Sequence, residues 1–387
     1  MKRLTTLFLS VGTLVAALTS CCGNSNKPKV DPNLIESQLQ QLSLREKVGQ
    51  LFCVRPEAFD VALEWDNYAK IATYELQEVN DQMVKVNAEY PCGGVILFAH
   101  NIKDEAQLAT FVEKLKAFNG DPLLYVDEEG GRVARIGNNG TFPVEVFPAM
   151  GEIGKTGDPK NAYRVGNVIG TYLKKYGFDV DLAPVADVNT NPKNPVIGTR
   201  AFSDDPQVAA KMVVQCVKGL DDAGVAACVK HFPGHGDTQT DSHFGYASTS
   251  KTWEEMLACE MVTFKAAIEN DVPMIMTAHI GTPNVTDNEI PSTVNPVILQ
   301  EKLRGELGFD GVIITDGMAM GAITRQYTSG EAAILSLQAG ADIILGPKNF
   351  IEAFDAVMAA VEAGTLTEER IDESVRRILT LKAKLRQ

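Results

Sequence analysis

The sequence predicts an α/β protein built as one (β/α)8 TIM barrel, a single catalytic domain, and three observations carry that expectation. Short apolar, β-branched-rich runs recur eight times: GQLFCV (49–54), GGVILFAH (93–100), PLLYVDEE (122–129), VDLAPVADV (180–188), GVAACVKHF (224–232), VPMIMTAHI (272–280), GVIITDGMAM (311–320) and ADIILGP (341–347). Amphipathic stretches such as NAYRVGNVIGTYLKKYG, PQVAAKMVVQCVKGLDDAG and FIEAFDAVMAAVEAG lie between most of them, several closed by glycine. No GxGxxG follows the first run, as a dinucleotide-binding open sheet would require. Near-continuous apolar strands belong to parallel sheets covered by helices, and a count of eight favours closure into a barrel.

The elements follow in order. Residues 1–20 read as a lipoprotein signal peptide, because Lys2 and Arg3 precede an uncharged apolar run from Leu7 to Leu18 that is short for a membrane span. The segment ends Leu18-Thr19-Ser20-Cys21, which resembles a bacterial lipobox and implies a lipid on Cys21. An ordinary secretion signal is the plainer alternative. Residues 21–33 are polar and read as a tether, and residues 34–387 as the barrel domain. Ser43-Leu44-Arg45-Glu46 has the spacing of a capping box and opens the helix before the first strand. Residues 56 to 91 are long for a connection and hold Trp65 and several tyrosines. They are expected to make helical excursions near the barrel mouth, shaping the leaving-group side. A charged amphipathic helix from Thr367 to Gln387 closes the domain, and no second catalytic domain is expected.

Composition narrows the function. The formal charge is −14, which repels phosphate backbones and anionic lipid, so nucleic acid is excluded as a partner and membrane contact is expected through the N-terminal lipid only. Five cysteines lie beyond the tether (Cys53, Cys92, Cys216, Cys228, Cys259), without CxxC spacing, and read as buried free thiols. Export would permit one or two disulfides.

In such barrels the chemistry sits at the C-terminal ends of the strands. Polar residues collect there: Asp127-Glu128-Glu129-Gly130-Gly131-Arg132 and Arg135 after the third run, Asp187 and Arg200 after the fourth, Lys230-His231 on the fifth, His279 on the sixth and Asp316 on the seventh. All five histidines fall at strand ends or in the loops beyond them. A single strand-end carboxylate is often only a helix cap, so the concentration around one rim is the signal. The richest loop is Lys230-His231-Phe232-Pro233-Gly234-His235-Gly236-Asp237-Thr238, followed by Asp241-Ser242-His243. Its Pro and glycines deny a helix, and zinc-ligand spacing is missing, so no metal and no cofactor is expected.

That loop resembles the signature of glycoside hydrolase family 3, and more narrowly of the family's single-domain β-N-acetylglucosaminidases. LSLREKVGQLF, DEEGGRVARI, IGTRAFSDDP and TDGMAM resemble further family segments in the same order. The resemblance implies a retaining glycosidase with Asp316 as nucleophile, His243 and Asp241 as an acid/base dyad, and Asp127, Arg135, Arg200, Lys230 and His231 as sugar-binding residues. The expected partner is therefore an N-acetylglucosamine-containing carbohydrate, such as a muropeptide. Chemically, a carboxylate can hold a covalent glycosyl intermediate, and an imidazole can shuttle a proton near neutral pH. Two departures stand out: the family often has Gln where Glu128 stands and Ser where Ala201 stands. His235 and Asp237 are expected to brace the loop, while His279 is left between rim packing and substrate contact. The alternatives are a family 3 β-glucosidase or xylosidase, a phosphorylase (an imidazole does not repel incoming phosphate as a carboxylate would), and a lipid-anchored glycan-binding protein.

Overall fold

The structure is a computed structural model that describes residues 30–60, 74–238 and 247–387. Each of the eight apolar runs supplies one strand: β1 Phe52–Val54, β2 Gly94–Ile96, β3 Leu123–Val126, β4 Val180–Asp181, β5 Ala226–Phe232, β6 Met274–Thr277, β7 Val312–Ile314 and β8 Ile344–Leu345. From β1 to β7 each strand pairs in parallel with the next one in the chain. The ring closes where Phe52 and Cys53 of β1 pair with Ile344 and Leu345 of β8, and where Ile314 bridges to Ile343. This is the predicted barrel, with the strands in chain order. Burial on both faces explains the unbroken apolar runs: Phe52, Cys53 and Val54 are all fully buried, the alternation of a half-exposed strand being absent.

The strands are shorter than the runs that announce them. β4 ends at Asp181, and the rest of VDLAPVADV runs beside β5 in irregular register, Pro184 having no N–H to offer a ladder. Among the described residues the first element is a helix Pro32–Gln41, capped by the Asp31 side chain and opening two residues ahead of the expected domain boundary at residue 34. The capping box at Ser43 and Glu46 is present, and its helix Leu44–Gln50 delivers the chain into β1. Of the long segment after β1, the described part holds a short 3-10 turn Pro56–Phe59 and the helix Asp81–Glu89, whereas Trp65 lies outside the described residues.

Helices cover the ring. Pro159–Lys175 and Pro206–Asp222 each start with an Asp cap and a proline in the first turn, and pack against each other at glycines. A Cβ on Gly166 would stand 2.2 Å from the Cys216 carbonyl, and one on Gly219 would stand 2.3 Å from that of Tyr163, so larger residues would force the pair apart. Four of the five body cysteines are buried and all five are free thiols, as expected.

The closing helix Glu368–Leu385 runs across the floor of the barrel, beneath the N-terminal ends of the strands. Its Arg370 donates to the carbonyl of Ala341, and its Ser374 and Arg377 hold Asp342, both just ahead of β8. Further along, Lys382 donates to Gln50 Oε1 at 2.6 Å and to the carbonyls of Gly120 and Asp121, just ahead of β3, at 2.9 and 2.7 Å. Burial pulls this ammonium down to about 8. The N-terminal helix Pro32–Gln41 lies against this floor helix, joined to it by an ion pair between Glu36 and Arg376.

Candidate active site

β3 runs out into Asp127-Glu128-Glu129. The alternation of an extended chain sends Asp127 and Glu129 to one side and Glu128 to the other. On the first side both carboxylates meet Lys230 of β5, whose Nζ stands 2.8 Å from Asp127 Oδ1 and 2.6 Å from Glu129 Oε1. Arg135 reaches the second oxygen of Asp127 at 3.2 Å. Arg200, on the loop after β4, grips Glu129 with Nε at 2.8 Å and Nη2 at 2.7 Å, the paired geometry that a guanidinium fits best. Two carboxylates and three cations therefore form one continuous network in which Lys230 is only 2% exposed.

Charges so buried are costly unless each meets its opposite, and here each does. Burial pushes the Glu129 carboxyl up, but Arg200 and Lys230 outweigh it and hold it well below the usual carboxylate range. Asp127 is likewise held low by Lys230 and Arg135 against its burial. Burial pulls the Lys230 ammonium down, and the two carboxylates more than reverse this, so it stays charged.

His231 is oriented by Asp187. Its Nδ1 lies 2.7 Å from Asp187 Oδ2, which also accepts the His231 backbone N–H at 3.2 Å. Nε2 of the same ring lies 3.5 Å from Arg200 Nη2. The other Asp187 oxygen accepts the backbone N–H of His235. His235 is itself buried against Thr238, 2.6 Å from its hydroxyl, and Asp237 accepts from the Thr249 hydroxyl at 2.8 Å. Both residues tie the loop to its surroundings, the bracing expected of them.

Asp316 follows β7, half-way round the ring from β3, and is partly exposed. Its Oδ1 accepts the Gly317 N–H at 2.7 Å. His279 is fully buried beside this turn: Nε2 donates to the Gly317 carbonyl at 3.0 Å and Nδ1 lies 2.8 Å from the Thr293 hydroxyl. His279 thus packs under the turn that presents Asp316.

Asp127, Arg135, Arg200, Lys230 and His231, which the family resemblance implied as sugar-binding residues, are brought into one cluster, with Asp316 across the ring. Asp241, His243 and Cys21 lie outside the described residues. Sequence reading gave no role to Glu129 or Asp187, which hold the cluster together. The two-residue spacing from Asp127 could have marked Glu129. Asp187 was marked as a strand-end residue, but nothing local assigns it to its histidine, 44 positions away.

The glycosyl hydrolase family 3 N-terminal domain model matches residues 43–381. The chain belongs to glycosyl hydrolase family 3. Among curated relatives it is 34% identical over 339 residues to beta-hexosaminidase A of Pseudoalteromonas piscicida, covering 79% of this chain and 56% of that protein. It is 36% identical to the beta-hexosaminidase of Hydrogenovibrio crunogenus, covering 72% and 78% of the two chains. Its fold superposes on a family 3 beta-N-acetylglucosaminidase from Paenibacillus sp. str. FPU-7 with a TM-score of 0.81 at 37% identity, covering 89% of this chain and 63% of that one. The chain thus spans a little over half of the Pseudoalteromonas protein and under two thirds of the Paenibacillus one.

Proposed function

We propose that the protein is a retaining glycoside hydrolase that releases terminal β-linked N-acetylglucosamine from muropeptides or related glycans. The observation that carries this reading is the arrangement of the mouth: a rigid clamp of paired charges at the ends of β3, β4 and β5, and a carboxylate at the end of β7 facing it across the ring. A sugar held by its hydroxyls on the clamp side presents its anomeric carbon to Asp316. In the first step an Asp316 oxygen bonds to that carbon and the glycosidic C–O bond breaks. The leaving oxygen takes a proton from the His243 imidazolium, which Asp241 stabilises. In the second step His243 takes a proton from water, whose oxygen displaces Asp316 with net retention. Kinship with proteins named beta-hexosaminidase supports the acetamido sugar as the preferred one.

The same proposal places the enzyme outside the cytoplasm, held by a lipid on Cys21. Among the described residues no helix is long and apolar enough to cross a membrane. Replacing Cys21 by Ser should release the protein from washed membranes into the soluble fraction. Retention of the variant would remove the anchor.

The activity is tested with matched aryl β-N-acetylglucosaminide and aryl β-glucoside, each with and without inorganic phosphate. Turnover of the acetamido substrate alone, indifferent to phosphate, supports hydrolysis. Preference for the glucoside would place the chain in another branch of the family, and a phosphorylated sugar product would make it a phosphorylase.

A further inference from the structure

Glu128 stands where the sequence departs from the family's frequent Gln, and it points away from the sugar clamp. It is completely buried. Its Oε2 accepts the backbone N–H groups of Arg135 and Ile136 at 2.6 and 2.9 Å, and its Oε1 accepts the Gly137 N–H at 2.7 Å and the Tyr172 hydroxyl at 2.8 Å. An ionised carboxylate offers about four acceptor sites, and all are used. Three of the donors are consecutive backbone amides, a concave arrangement suited to an anion. The fit depends on Gly137, since a Cβ there would stand 3.0 Å from Oε1.

The first amide in that row is the one from which the Arg135 side chain reaches Asp127. Upstream, the backbone of Glu128 pairs with Ala134 in a two-stranded ribbon, Glu128–Gly130 against Val133–Ala134. Its turn needs glycine, with Gly130 at φ 88° and Gly131 at φ 57°. One residue thus holds Arg135 twice, through its own backbone to Ala134 and through its side chain to residues 135–137. A Gln would keep one acceptor oxygen for Arg135 and Ile136, and its N–H2 could donate to the Tyr172 hydroxyl but would meet the Gly137 N–H donor to donor, a mismatch that a shift of the loop relieves.

We propose that Glu128 is a positioning residue for substrate binding, its carboxylate fixing Arg135 against Asp127 so that the sugar meets a preformed pair. The proposal rests on the glycosidase reading above. Its effect belongs in binding and not in the bond-breaking step, because Glu128 faces away from the site.

The test is a double-mutant comparison on the aryl β-N-acetylglucosaminide. Glu128→Gln should raise KM about tenfold with kcat within about threefold of the parent, the signature of lost uniform binding. On an Arg135→Ala background the same change should add less than about twofold, because its route to the sugar is already gone. A folded Glu128→Gln with parental KM overturns the proposal, and so does a full tenfold effect persisting without Arg135. If Glu128→Gln does not fold, Gly137→Ala crowds the same carboxylate and must raise KM in the same way. Parental preference for the glucoside would sink the acetamido reading alone, and the same comparison on that substrate would still decide the role of Glu128.

Discussion

Arg200 holds Glu129 by two nitrogens at 2.8 and 2.7 Å while Lys230 meets the same carboxylate at 2.6 Å. One carboxylate thus pairs with two cations in the wall of the mouth. Removing its charge takes from Arg200 its paired carboxylate and leaves Lys230 with Asp127 alone. Glu129→Gln is expected to lower the unfolding free energy by roughly 3 kcal/mol, the scale of breaking a buried ion pair. Urea denaturation checks this, and a midpoint matching the parent would show that the network does not need its central anion.

The same network sets an acid limit. Glu129 and Asp127 are held below their ordinary values of 4.5 and 3.8, and Asp187 is depressed too, where His231 outweighs the effect of burial. A depressed folded-state value means that the unfolded chain binds protons first, so the stability these groups contribute is present above pH ~4.5 and is lost as pH falls below it. Thermal unfolding followed from pH 7 to pH 3 should show the melting temperature falling steeply below about 4.5. A flat profile there would mean the three carboxylates are not held low.

Asp316→Ala should reduce turnover of the aryl β-N-acetylglucosaminide by about a thousandfold or more, as expected for loss of a nucleophile. His243→Ala should cost about a hundredfold or more, within the usual range for a general acid. Two variants that retain parental rates would end the assignment of these roles.

On the floor, Lys382 satisfies three buried acceptors. Lys382→Met fills the same space but removes this donor from Gln50 Oε1 and the Asp121 carbonyl, the Gly120 carbonyl keeping the Gln50 amide, and should destabilise by roughly 2–4 kcal/mol. Activity at a temperature where the variant is folded should match the parent, since the mouth lies at the other end of the strands. A large loss of kcat in the folded variant would contradict that separation.

Eight strands were legible because a strand buried on both faces leaves an unbroken apolar run, and each run carries that mark without reference to its neighbours. Strand ends were less legible, since β4 stops at Asp181 under the influence of Pro184 and of pairing with β5. The clamp residues announced themselves by falling at strand ends. The residues that orient them fell at strand ends too, but their roles did not show: Asp187 acts on His231 from another strand's loop, and Glu128 acts through amides seven to nine positions ahead. Their roles exist only once the chain has closed.

The floor helix and the N-terminal helix that lies against it set the end of the barrel at which the described chain starts. The chain enters the barrel from beneath, at Asp31, so whatever holds the preceding residues pulls from the end opposite the mouth. A lipid on Cys21 would therefore moor the enzyme upright, floor toward the bilayer and mouth toward the space beyond. The ten residues from Cys21 to Asp31 could span at most roughly 35 Å. An enzyme moored in this way would meet glycans that approach from the open side, while glycans carried on the surface of its own leaflet would lie behind it.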